Sequence, residues 1–410
     1  MSENKKLTPK IRFKGFTEDW EQRKLPAIAN ISIGLVTTMT SHYMNHGVLL
    51  IRNSDIKDNK FEFDTDPIYL DEKFASENKH RQHQIGDVIT VHTGDVGTSA
   101  VITENEVNSI GFATLISRPN KEIIDSHYLS TFYNTDKHKK FAVLMSTGDG
   151  RTNYNLGDFI ELIVPFPKKG EQIKIARFIN NIDNLITLHQ RKYDKLVKIK
   201  SSLLEKMFPK NSSKIPEVRF KGFTEDWEQR KLDKYLEQYT EVTKTNNQYP
   251  ALTSSRKGIF FQTEYFAGNQ IASENNIGYN IVPRNYFTYR HMSDDEIFHF
   301  NINDICDFGI VSTLYPVFTT KNNMDSKYLQ YQLNYGKEFY NYSILQKQGG
   351  SRTYMYFAKL KELYLTIPSY KEQCKISSIL AEIDNLITLH QRKLDKLQNI
   401  KKSLLDKMFV

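Results

Sequence analysis

Apolar residues fall into two spacings along this chain. From Ile175, steps of four and three land on Ile179, Ile182, Ile186, His189, Tyr193, Leu196, Lys200, Leu203 and Met207, and eight of the ten positions are apolar. The same steps from Ile376 land on Leu380, Ile383, Ile387, His390, Leu394, Leu397, Lys401, Leu404 and Met408, again with eight of ten apolar. This spacing puts the side chains on one helical stripe and predicts a coiled-coil seam. Neither run contains Pro or Gly, and Pro209 closes the first. At ~1.5 Å per residue, each tail would make a rod of roughly 57 Å. Alone, each helix would leave its stripe wet. The two are therefore expected to pair, antiparallel if a pseudo-two-fold axis relates the halves. A parallel pair, or pairing with another chain, satisfies the same pattern. His189 and His390, like Lys200 and Lys401, occupy matching seam positions and read as polar residues that set register.

The blocks before the tails show shorter apolar runs punctuated by turn residues, the pattern of an α+β fold. In the first block, strands are expected at 48–52, 87–91 and 100–102, a helix over 125–145 with Ser126 as N-cap, and a closing strand at 162–165. In the second, strands are expected at 258–262, 279–282, 286–289 and 304–308, a helix over 325–342 and a closing strand at 363–367.

Internal repeats organise these elements. Ile11–Leu25, IRFKGFTEDWEQRKL, recurs as Val218–Leu232 with fourteen of fifteen positions identical. Glu171–Phe208 recurs as Glu372–Phe409 with 26 of 38 identical, including an unbroken IDNLITLHQRK. Shorter matches join Gly148-Asp-Gly-Arg151-Thr152 to Gly349-Gly-Ser-Arg352-Thr353, and Asp125 to Asp325, which start helices and read as caps. Residues 26–120 and 233–320 share no convincing alignment. The chain is two copies of one plan, each with a leader, a variable block and a near-invariant tail. A duplicated enzyme should keep its catalytic residues and vary its surface. Here the rods are kept and the globular blocks diverge, which suits two readers of different sequences on one ruler.

Composition narrows the function. The chain has 410 residues and a formal charge of +8. The first tail has eight basic and four acidic residues and the second seven and five, so the tails hold six of the eight surplus charges. The remaining blocks are nearly neutral. Cys306 and Cys374 are the only cysteines, too few for a disulfide framework or a cysteine-based zinc site. No apolar run approaches the ~20 residues of a membrane span, and the first ten residues carry no signal-peptide core. These features read as a reduced, cytoplasmic protein. There is no Walker A run, no Gly-x-Gly-x-x-Gly after a strand, no Gly-x-Ser-x-Gly elbow and no (Asn/Asp)-Pro-Pro-(Tyr/Phe) methyltransferase motif. Gly94-Asp-Val-Gly97 is too short for a phosphate loop and reads as a turn.

The leader Pro9–Trp20 and its copy Pro216–Trp227, the segments ending at Pro167 and Pro368, and the helix starts Glu171-Gln-Ile-Lys-Ile175 and Glu372-Gln-Cys-Lys-Ile376 resemble the specificity subunit of Type I restriction–modification enzymes. The resemblance covers essentially the whole chain. It implies target-recognition domains at 1–168 and 210–370, joined by long helices at 169–209 and 371–410 that form an antiparallel coiled coil. It also implies an asymmetric bipartite double-stranded DNA site whose spacer is set by the helices, and no catalysis in this chain. The implied partners are two modification subunits that bind S-adenosylmethionine and two restriction subunits that use ATP and Mg. No cofactor is expected in this chain itself.

Base reading needs Arg, Lys, Asn, Gln, Ser or Thr on loops near strand ends. The first block offers Arg52, Asn53, His92, Thr93, Arg151, Thr152 and Asn153. The second offers Ser254, Ser255, Arg256, Lys257, Gln262, Arg290, Arg352 and Thr353. Arg151 and Arg352 match across the copies, so phosphate contact suits them better than reading different bases. Two other readings are a self-contained nuclease or methyltransferase and a non-catalytic coiled-coil scaffold that binds nucleic acid.

Overall fold

The computed structural model describes residues 7–63, 67–146, 152–210, 213–269, 272–347 and 352–410. It divides into two compact units, Met1–Gln190 with Gln391–Val410, and Arg191–His390. The long helices run Lys169–Lys206 and Tyr370–Met408. Each unit therefore takes the near half of its own long helix and the far half of the other.

In the first unit, Met408 and Phe409 are buried beside Ile175 and Ala176, while Lys401 Nζ meets Asp183 Oδ1 at 2.6 Å. One segment descends as the other rises, so they run antiparallel. In the second unit, Met207 and Phe208 are buried with Ile376 and Leu380, and Lys200 Nζ meets Asp384 Oδ1 at 2.6 Å. The two seam lysines thus meet the same aspartate of the repeat, each inside its own unit.

The leaders lock these segments in place. Arg12 donates from Nε and Nη2 to the Glu171 carboxylate, both at 2.8 Å, and Arg219 does the same to Glu372 at 2.8 Å. Both carboxylates are only 1% exposed, where a fork-to-fork guanidinium is the partner that offsets their desolvation. The next residue is equally committed. Gln172 accepts from Asp125 N–H and donates to the Pro167 carbonyl, as Gln373 does with Asp325 and Pro368. Leader strand Glu21–Lys24 pairs antiparallel with Ile163–Phe166, and Glu228–Lys231 pairs with Tyr364–Ile367. Trp20 packs edge-on against Tyr128 and Phe409, and Trp227 packs edge-on against Tyr328.

Each unit centres on a four-stranded antiparallel sheet. The first orders Ala29–Ile33, Leu115–Pro119, Val88–Thr90 and Ser99–Val101, and the second Leu236–Tyr239, Val317–Thr320, Phe287–Thr288 and Asn301–Ile302. The first unit adds a second four-stranded sheet, in which Val48–Ile51 lies parallel to Ile110–Gly111.

Three expectations need correction. Both recognition-block helices are broken in two. Ser126–Tyr133 is followed by Asp136–Met145, which Thr135 caps, and Ser326–Tyr335 is followed by Lys337–Ile344 across Gly336. Of the two caps offered for the first helix, Asp125 is the one used, accepting from Tyr128 N–H at 3.0 Å, and Ser126 is not. No strand covers 304–308: Asn303 Oδ1 accepts from the amides of Ile305 and Cys306 and turns the chain there, and the strand begins at Phe308. Among the described residues, no helix is long and apolar enough to cross a membrane.

Candidate nucleic-acid interface

In the first unit, strands Val88–Thr90 and Ser99–Val101 are joined by a loop that turns on Gly94 and Gly97, at φ +102° and +86°. A Cβ on Gly97 would lie 3.1 Å from the Ala142 side chain and would have to adopt the left-handed φ, so glycine suits the close approach of the loop to this side chain. Four of the residues expected to read DNA meet on this loop. Asn53 Oδ1 accepts from His92 N–H at 2.7 Å, and its amide nitrogen donates to the carbonyls of Phe112 and Ala113. His92 Nδ1 lies 2.7 Å from Thr93 Oγ1, which donates to Asn153 Oδ1 at 2.8 Å. Because the hydroxyl donates onward, the imidazole Nδ1–H is the donor to it. The relay fixes the orientation of all three side chains. Half-burial of His92 pushes its pKa down, favouring the neutral ring. Gly94 N–H reaches the Thr152 carbonyl and brings that segment alongside.

Arg52 stands apart. Its Nε and Nη2 bind the Asp55 carboxylate at 3.0 and 2.7 Å, and Asp55 is 1% exposed. The guanidinium closes a turn of its own chain. Arg151 lies outside the described residues.

In the second unit, Leu252–Ser255 and Gly258–Phe261 form a hairpin. Ser254 is buried, donating to the Thr288 carbonyl and accepting from Asn301. Ser255 Oγ closes the turn, donating to the Gly258 carbonyl and accepting from Lys257 N–H. Gln262 is spent between Leu252 and Ala272, and Thr353 is a buried strand residue. Arg256 remains exposed at the tip of the hairpin, and Lys257 is exposed beside it.

The centre of this cluster is a loop that the sequence did not single out. Asp294 pairs with Arg352 Nε at 2.9 Å, Asp295 with Arg256, and Glu296 with Lys347. Three consecutive carboxylates thus collect three cations from separate segments. The Arg256 guanidinium, then the Ser293 hydroxyl, hold the Asp295 carboxyl below its usual range. Arg290 is exposed just ahead of the loop.

The same loop reveals an equivalence hidden in the sequence. Tyr154 N–H donates to the His92 carbonyl at 2.8 Å, and Met355 N–H donates to the His291 carbonyl at 2.8 Å. His92 and His291 therefore occupy one position of the shared plan, although their numbers differ by 199 where the flanking matches differ by 201. Around His291 lie Tyr356, with ring centroids 4.9 Å apart, and Tyr354, whose ring stacks on that of Tyr356 at 5.7 Å. His291, Tyr354 and Tyr356 were not among the expected contacts. The recurring Thr152/Thr353 was the signal that could have led to them.

Among the described residues, no group of His, Cys, Asp and Glu could hold a metal ion. What both clusters offer is oriented hydrogen-bond donors and acceptors, with exposed guanidinium groups in the second.

Comparison with known proteins agrees with the repeat. A family model described as the Type I restriction modification DNA specificity domain matches residues 17–198 and 224–399. The chain is 25% identical over 416 residues to the MjaX type I restriction enzyme specificity subunit of Methanocaldococcus jannaschii, covering 95% of this chain and 92% of the relative. It is 22% identical over 332 residues to the MjaVIII specificity subunit of the same organism, covering 72% of each. Its fold is similar to the crystal structure of the S subunit of a Type I restriction-modification system from M. genitalium, with TM-score 0.62, 13% identity, and coverage of 98% of this chain and 99% of that one.

Proposed function

The chain belongs to the Type I restriction–modification DNA specificity family, and from that premise we propose that each unit reads one half of an asymmetric bipartite duplex site. The observation that carries this reading is the pair of loop clusters. One backbone plan, anchored at the His92 and His291 carbonyls, bears a polar relay in the first unit and arginines with aromatic rings in the second. Unlike side chains on a shared plan suit unlike half-sites. Bidentate contacts from Arg or Asn to base edges, each worth ~1–3 kcal/mol, would supply discrimination, and contacts to phosphates would supply salt-dependent affinity.

Chemistry falls to partners on this reading. Two modification subunits would bring S-adenosylmethionine, and two restriction subunits ATP and Mg. The long helices offer each modification subunit the same surface. Leu185 and Leu188 in the first unit are 44% and 46% exposed, and their repeats Leu386 and Leu389 in the second are 38% and 45% exposed. Identical apolar residues kept in water twice suit a partner that binds twice. The near-neutral recognition blocks suit weak binding of DNA by this chain alone, with tight binding only in the complex.

The test is Arg256→Ala in the complex reconstituted with modification subunits. Methylation should lose selectivity at one half-site and keep it at the other. Unchanged specificity would remove Arg256 from the reading surface, and loss at both halves together would contradict the division of labour.

A further inference from the structure

The second unit carries an aromatic ridge that has no counterpart among the described residues of the first. Side chains alternate along Thr353–Phe357: Thr353, Met355 and Phe357 are buried, while Tyr354 and Tyr356 are 37% and 49% exposed. Residues two apart on an extended chain share a face, so both tyrosines stand on the outer one. Their rings lie within 13° of parallel, and His291 lies against Tyr356 at 35°. The row of rings therefore keeps part of its apolar surface in water. Arg352 immediately precedes the strand, and Arg290 immediately precedes His291. The shared backbone register places Asn153 and Asn155 of the first unit where Tyr354 and Tyr356 stand in the second.

We infer that Tyr354 and Tyr356 are specificity-determining residues that pack their rings on the 5-methyl group of thymine in the major groove of the second unit's half-site. This rests on the reading of each unit as a half-site reader. The physical case is one of matching surfaces. The major groove presents one apolar feature, the thymine methyl, amid donors and acceptors. An Asn amide at the matching positions suits hydrogen bonding to a base edge, as with adenine, whereas two stacked rings offer apolar surface. Arg290, exposed just ahead of His291, can hold a phosphate and set the ridge in the groove.

The experiment uses the full chain in complex with its modification subunits, on a duplex carrying its mapped site. Each thymine of the second half-site is replaced in turn by deoxyuridine, which removes only the methyl. Wild type should methylate at least one of these duplexes about fourfold more slowly, the worth of one methylene-sized group buried from water. In the double variant Y354A/Y356A, thymine and deoxyuridine duplexes should react equally. Y354F/Y356F should keep the fourfold preference, because the ring remains and only the hydroxyl is lost. The inference is overturned if wild type shows no preference at any position of that half-site, if the half-site contains no thymine, or if the preference survives in the alanine variant. A Phe variant that behaves like the Ala variant would assign the contact to the hydroxyl and equally overturn it. A wild-type complex that methylates no bipartite site would overturn the underlying reading of function, and the ridge with it.

Discussion

The repeated framework and the loop clusters of this chain obey opposite rules. In the framework, matched residues perform matched tasks in both units. Arg12 and Arg219 fork onto buried glutamates, Gln172 and Gln373 tie a helix start to a capped turn, and Trp20 and Trp227 meet Tyr128 and Tyr328 edge-on. In the clusters, one backbone register carries different chemistry: a His92–Thr93–Asn153 relay against three cations gathered by Asp294, Asp295 and Glu296. Buried, interlocked contacts tolerate little change, because a partner lost inside leaves a cavity or an uncompensated charge. Exposed loop residues change at small cost in stability. Duplication followed by divergence therefore leaves identity where packing demands it and variety on exposed loops, where the proposed reading of DNA takes place.

The sharpest way to break the comparison is to remove matched framework residues. Trp20→Ala and Trp227→Ala should each cost about 3–5 kcal/mol, and by similar amounts, in denaturant unfolding of the whole chain. Clearly unequal costs would mean the twin contacts are not equivalent. Arg12→Met and Arg219→Met should each cost about 3 kcal/mol, since either strands a buried glutamate.

A third test separates the units by pH. Burial depresses His83 and His138 to about 4, and both lie in the first unit. For each, the folded value lies below the unfolded value near 6.5, so the unfolded chain binds the extra proton between them. Stability is full above about pH 6.5 and falls by about 1.4 kcal/mol per pH unit per histidine down to about pH 4. Hydrogen exchange resolved by segment should show the core of the first unit losing protection on acidification before that of the second. His138→Gln should flatten that slope. A smaller effect is expected at the helix pairs, where Lys401→Met or Lys200→Met should cost about 1 kcal/mol, both partners being partly exposed. The smallest is Arg256→Ala, within about 0.5 kcal/mol of wild type in stability, although it is expected to alter DNA selectivity.

Much of the framework was legible because periodicity and repetition are local signals. The 4-3 stripes marked both long helices to within a few residues, and the duplicated leader marked a segment whose task is structural. The clusters were harder to read. His92, Thr93 and Asn153 were found as polar residues near strand ends, but the same rule also named Ser254, Gln262 and Thr353, which the fold consumes internally. Nothing in the sequence announces that Arg52 will be spent on Asp55, because that depends on a turn three residues long. The offset of 199 between His92 and His291 concealed a register that only backbone hydrogen bonds reveal.

The central claim is that two unlike readers stand on a copied framework. It is tested most directly by mapping methylated adenines across the genome of cells that carry the modification subunits, with and without this chain. The account predicts a chain-dependent motif of two different short sequences separated by a fixed, unspecified gap. A single continuous motif, two identical halves, or methylation that persists without the chain would contradict it.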